Sequence, residues 1–229
     1  MKAVLPMAGK GTRMANYYKG PKQLLHVGDK PILEHILCSL PSDVDECIFV
    51  TGGPYEEYIK EHFTSGEYLG KPIRFVQQSQ QLGLAHAFCE AQRYVDDRWF
   101  GAVSDDIVDP DAIRELFTHD LAVLACRVSN PENFGALVAD DAGNLVRAVE
   151  KPEDYISDLV WTGHMIMDKS FFESDVALSA RGEYEVPDVW NNMISRRNKK
   201  IQIVETTFWL PINTKEQHEV AEKYLQANQ

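Results

Sequence analysis

The sequence predicts an α/β protein with a mainly parallel, twisted sheet, helices on both of its faces, and a second half richer in strands. Three observations carry this expectation. Short β-type apolar runs alternate with amphipathic helical stretches through about the first 120 residues, and a glycine-rich turn directly follows the first of those runs. Beyond that point strand-type runs succeed one another across polar turns. Alternation implies a parallel sheet because a parallel crossover needs a long connection, usually a helix. Strands in direct succession imply antiparallel pairing added to the same sheet.

Taken in order, residues 3–7 form the first apolar run, and Gly9-Lys10-Gly11 stands behind it. Pro31 suits a first helical position, where a missing N–H costs nothing, and Ile32, Leu33, Ile36, Leu37 and Leu40 mark one helical stripe. A strand is expected at 47–51, a helix at 55–63 and a strand at 73–77. A helix at about 84–94 and a strand at 100–104 complete the third alternation, giving a Rossmann-like βαβαβ order. In the second half, 121–128, 136–139, 145–149 and 159–167 read as strands, with a turn at 141–144. Thr214 and Gln217 form a capping-box pattern that opens the last helix.

The bulk properties exclude several classes. Hydrophobic residues at 44% and charged residues at 25% are ordinary for a globular chain. A net charge of −12 with no long basic run disfavours nucleic acid as a partner. Cys38, Cys47, Cys89 and Cys126 show no metal or disulfide spacing and read as reduced thiols. No apolar run approaches the roughly 18 residues of a membrane span, and no secretory leader is recognisable, so a cytoplasmic protein without a membrane partner is expected. Without repeats or linkers, 1–229 reads as a single domain. Monomer and homo-oligomer are both compatible with it.

The most informative segment is Met7-Ala8-Gly9-Lys10-Gly11-Thr12-Arg13-Met14. Glycines let backbone N–H groups approach phosphate oxygens, and Arg13 can add a bidentate contact. The loop lacks the spacing of a Walker A motif, and Met14 stands where a dinucleotide fingerprint needs Gly or Ala. Pro21-Lys22-Gln23-Leu24 follows shortly and supplies a second cation, as a triphosphate with a leaving pyrophosphate requires.

The stretch from Ala8 through Leu37 resembles the N-terminal signature of the sugar-1-phosphate nucleotidyltransferases, also called NDP-sugar pyrophosphorylases. That resemblance implies a nucleotide-diphospho-sugar transferase fold with a nucleotide-binding half to about residue 120 and a sugar-binding half from about 121 to 229. It implies that Ala8, Gly9, Gly11 and Thr12 bind the nucleotide, that Arg13 holds the β- and γ-phosphates, and that Lys22 meets the α-phosphate. Gln78 through Ala87 is similar to the family's Gln-x-x-x-x-Gly-x-Ala motif, closest to the form in N-acetylglucosamine-1-phosphate uridylyltransferases. Gln78 and Gly83 would then contact the base, with UTP or dTTP favoured, while His86 reads as a helix-surface residue.

Ser104-Asp105-Asp106 ends an apolar strand, and the resemblance makes Asp105 a Mg²⁺ ligand, with Ser104 in place of the usual Gly. Asp109 before Pro110 reads as an N-cap, and Asp106 reads as a second-rank candidate or a solvated loop acid. Phe134-Gly135 and Glu150-Lys151-Pro152 resemble the motifs that hold the sugar and its phosphate, giving Gly135, Glu150 and Lys151. Thr162 and Gly163 are expected to line the same pocket. Many relatives place a second metal-binding Asp after Trp-Leu; here Pro211-Ile212-Asn213 follows, and Asn213 is the candidate. The expected substrates are a nucleoside triphosphate and a sugar 1-phosphate. The competing expectations are a transferase of the same fold with a non-sugar acceptor, and a catalytically silent nucleotide-sugar sensor.

Overall fold

A computed structural model describes residues 1–9, 11 and 14–227. Thr12 and Arg13 lie outside the described residues. Strand β1 (Lys2–Pro6) shows how the sequence makes a two-faced sheet. Val4 enters one apolar core while Ala3 and Leu5 enter the other, the alternation that a pleated strand imposes. A small hairpin of β2 (His26–Val27) and β3 (Lys30–Pro31) leads into α1 (Ile32–Ser39), whose predicted stripe is buried. Strand β4 (Glu46–Thr51) runs parallel to β1 and is followed by α2 (Glu56–His62). Strand β5 (Glu67–Tyr68) pairs with β6 (Lys71–Gln77), which lies parallel to β4. Helix α3 (Leu84–Glu90) returns the chain to β7 (Arg98–Ala102), parallel to β1 on its other edge.

After β8 (Asp106–Val108) and α4 (Pro110–Leu116), the second half adds β9 (Ala122–Arg127), β10 (Gly135–Ala139), β11 (Leu145–Glu150) and β12 (Leu159–Asp168). Helix α5 (Val186–Arg197), β13 (Gln202–Glu205), β14 (Trp209–Pro211) and α6 (Lys215–Ala227) complete the chain. The main sheet runs β11-β10-β12-β7-β1-β4-β6-β5, with β9 on β12 and β13 on β9. Its β7-β1-β4-β6 part is parallel, and β12 joins it antiparallel to β7. Helices α3 and α5 pack on one face, and α1, α2 and α4 on the other. The strand-rich second half therefore extends the same sheet, as expected.

Several details depart from the sequence reading. The helix expected at 84–94 ends at Glu90 and continues as a 3-10 turn, Gln92–Tyr94. Helix α5, β13 and the β8–β14 pair were not anticipated; β8 and β14 are three residues each, too short for a period to show. Asp109 does cap α4, accepting from the Asp111 N–H at 2.9 Å. Among the described residues, no helix is long and apolar enough to cross a membrane.

Candidate active site

In the parallel half, chain order reverses between β1 and β7, the place where α/β sheets tend to bind ligands outside the carboxyl ends of their strands. A cleft of about 530 Å³ opens there. Ala8, Gly9, Gly11, Lys22, Gln78, Gly83, Asp105 and Asn213 all line it. Two contacts that sequence reasoning missed fix its floor. Ser104 donates its hydroxyl to Pro6 O at 2.7 Å, tying the end of β7 to the end of β1. Gln81 donates its carboxamide N–H to Ala8 O, holding the entrance of the glycine loop from the opposite wall. The serine that replaces the usual glycine is thus a buried strap between two strand ends.

Lys22 leaves a 3-10 turn, Lys22–Leu24, that starts behind Pro21. Its ammonium forms an ion pair with Asp105 and donates to Asn213 Oδ1 at 3.0 Å. The capping box places Asn213: Gln217 Oε1 accepts from the Asn213 N–H at 2.8 Å, while Thr214 Oγ1 accepts from the Gln217 N–H at 3.3 Å. Asp105 and Asn213 therefore present two hard oxygen donors to one point. That set fits Mg²⁺, which usually takes one or two protein oxygens and completes its shell with phosphate and water. Among the described residues, no three His, Cys, Asp or Glu side chains gather elsewhere as a metal cluster.

Asp106 corrects the sequence reading. It is 5% exposed, not a solvated loop acid, and its Oδ2 accepts from Trp209 Nε1 at 2.9 Å. Burial, with the Asp105 carboxylate beside it, pushes its carboxyl up to about 8. Trp209 in turn meets the Phe134 ring edge-on at 4.9 Å, so this buried acid links the Asp105 end of the cleft to the loop before β10.

At the opposite wall, Gln78 follows β6 and is 6% exposed. Its amide nitrogen donates to Gly83 O at 3.3 Å and to His86 Nδ1 at 3.0 Å. Gly83 has φ +98°, and a Cβ there would lie 2.8 Å from both Glu183 Cβ and Tyr184 O, so only glycine fits. His86 is not a plain surface residue: its ring stacks on Tyr184 with centroids 6.3 Å apart.

The residues expected to hold the sugar form a second group. Gly135 and Glu150 face each other across β10 and β11, and a Cβ on Gly135 would meet Glu150 Oε2 at 3.2 Å. Burial raises the Glu150 carboxyl, although Lys151 and Arg181 act against that. Lys151 has φ +46°, unusual for a non-glycine residue, and its N–H donates to Phe134 O at 2.9 Å. Arg181, unsuspected from the sequence, lies 3.5 Å from Glu150 and 4.0 Å from Glu183, which lines the cleft. Thr162 is placed differently from expectation. It is buried, and its hydroxyl donates to Leu124 O inside the sheet. Gly163 forms a bulge in β12 at φ +93°, where a Cβ would overlap Val103. Its carbonyl accepts from the Val103 N–H at 2.9 Å, so its visible part is to support the segment that carries Asp105.

Comparison with known proteins settles the family. The nucleotidyl transferase family model matches residues 2–227. The chain belongs to the nucleotidyl transferase family. It is 32% identical over 237 residues to a UTP–glucose-1-phosphate uridylyltransferase, AglF, of Haloferax volcanii, covering 99% of this chain and 97% of that one. It is 33% identical over 206 residues to the bifunctional protein GlmU of Methanocaldococcus jannaschii, covering 87% of this chain and 48% of the relative. The chain thus spans about half the length of the GlmU relatives it matches. A crystal structure named as a glucose-1-phosphate thymidylyltransferase from Bacillus anthracis, in complex with a sucrose, shares the fold. That likeness has a TM-score of 0.84 at 24% identity and covers 98% of this chain and 94% of that one. The family and the Rossmann-like fold are those the motifs implied.

Proposed function

We propose that this nucleotidyl transferase joins a nucleoside triphosphate, UTP or dTTP in preference, to a sugar 1-phosphate, yielding an NDP-sugar and pyrophosphate. The observation that carries the reading is the convergence of Lys22 with Asp105 and Asn213 on the glycine-loop side of the cleft. A phosphate oxygen of the sugar phosphate attacks the α-phosphorus, the bond to the β-phosphate oxygen breaks, and pyrophosphate leaves with the electron pair. The nucleophile is already anionic, so no general base is needed, and positioning with charge neutralisation supplies the rate.

In this reading Lys22 moves from its carboxylate partner to the α-phosphate when the substrate arrives. The loop N–H groups at Ala8, Gly9 and Gly11, with Thr12 and Arg13 beyond the described residues, hold the outgoing phosphates. Asp105 and Asn213 would hold Mg²⁺, which would neutralise phosphate charge there. Gln78 and Gly83 take the base. Gly135, Glu150 and Lys151 take the sugar and its phosphate, with Thr162 and Gly163 shaping the wall behind them.

Label transfer tests the reaction. Label in the α-phosphate of UTP is expected in the sugar product, and label in the γ-phosphate in pyrophosphate. Release of orthophosphate from the γ-position would instead mean hydrolysis and overturn the proposal.

A further inference from the structure

Gln78 must be held in one amide orientation to read a base, because a carboxamide that flips offers a donor and an acceptor in turn. Two neighbours fix it here. Gly83 O can only accept, so the atom 3.3 Å from it must be the Gln78 nitrogen. The second hydrogen of that nitrogen points to His86 Nδ1 at 3.0 Å, which must then be the bare ring nitrogen. The proton of the neutral ring accordingly sits on Nε2, which lies 3.7 Å from Glu90 Oε1, one turn along α3. Tyr184 stacks near-parallel to the ring, with centroids 6.3 Å apart. With both amide hydrogens used, Gln78 Oε1 is the atom left for a ligand, and no donor among the described residues reaches it.

We infer that His86 is a positioning residue for base selection: its bare Nδ1 locks the Gln78 carboxamide so that only an acceptor faces the nucleotide. A fixed acceptor requires an N–H on the pairing edge of the base. Uracil and thymine offer N3–H beside a carbonyl oxygen for the Gly83 N–H. Cytosine has a bare N3 at that place and is rejected by the repulsion of two acceptors. The inference rests on the reading of this cleft as a nucleotide site, and it assigns to His86 the choice between keto- and amino-pyrimidines.

Two measurements test it, and neither requires turnover. Nitrogen-15 correlation spectra of the imidazole side chains, with His86→Gln used to assign the signals, report the tautomer of the intact protein. Protonated Nε2 with bare Nδ1 is expected, and a proton on Nδ1 overturns the inference. Equilibrium binding of UTP and CTP in Mg²⁺ supplies the second readout. His86→Leu is expected to reduce the preference for UTP about 10-fold, the effect of one lost hydrogen bond. His86→Gln, whose side-chain oxygen can accept in the same place, is expected to restore most of it. A folded His86→Leu protein with undiminished UTP preference contradicts the inference, as does wild-type protein that prefers CTP. Should His86→Leu not fold, the tautomer and His86→Gln decide. Nucleotide binding with this selectivity but no transfer would sink the proposed reaction and leave the role of His86 standing.

Discussion

Lys22 and Asn213, 191 residues apart in sequence, meet through a 3.0 Å hydrogen bond, and the same ammonium pairs with Asp105. One cation thus occupies the point at which two oxygen donors converge. A triphosphate entering the cleft would draw it toward phosphate. Removing the ammonium should therefore damage the reaction more than the binding. In steady-state kinetics, Lys22→Ala is expected to lower kcat by about 10²- to 10³-fold, the usual effect of losing one transition-state charge partner. Nucleotide affinity should fall far less. Equal losses in both quantities would place Lys22 on the ground-state phosphates instead.

The two oxygen donors should separate in a Mg²⁺ titration. Asn213→Ala is expected to raise the Mg²⁺ needed for half-maximal rate by roughly 10-fold, with activity recovering at high Mg²⁺. Asp105→Ala loses the only carboxylate of the pair and should not recover. A Mg²⁺ requirement unmoved by Asn213→Ala would remove that residue from the metal site.

Gly163 is a packing requirement at φ +93°, with the Val103 side chain where its Cβ would lie. Gly163→Ala is expected to destabilise the protein by about 1–3 kcal/mol in urea unfolding, combining backbone strain and overpacking. Adding Val103→Ala removes the overlap with the γ-methyls but not the strain, so it should recover part of the loss. Full recovery, or none, would show that one of the two causes is absent.

His164 is fully buried on β12, and burial pushes its imidazole down to about 4. Between that value and the ordinary 6.5, the unfolded chain binds more protons than the folded one, so stability is present above 6.5 and drains away as pH falls toward 4. The loss attributable to this ring is on the order of 3 kcal/mol. Unfolding curves of His164→Leu should show a shallower decline between pH 6.5 and 4 than the wild type. An identical decline would mean that other groups carry the acid sensitivity.

The parts legible in the sequence were those encoded locally. The glycine loop, Pro31 with its helical stripe, and the Thr214–Gln217 box each announce a turn or helix through neighbours a few residues away. Lys22, Asp105 and Asn213 each stand out in the sequence, but that they meet depends on the sheet order. Asp106 was misread because the partner that buries it, Trp209, lies 103 residues on. The burial of Thr162 is hidden from the sequence for a similar reason: its acceptor, Leu124 O, belongs to a neighbouring strand. His86 looked like a surface residue because the amide it faces comes from the end of β6, eight residues earlier across a loop.

The most direct test of the proposed transfer is pyrophosphate release in Mg²⁺, scanning UTP, dTTP, CTP, GTP and ATP against glucose, N-acetylglucosamine and mannose 1-phosphates. Release is expected with UTP or dTTP and one of these sugar phosphates, dependent on both substrates and nearly abolished in Lys22→Ala. A folded wild-type protein that releases no pyrophosphate with any pair would contradict the account.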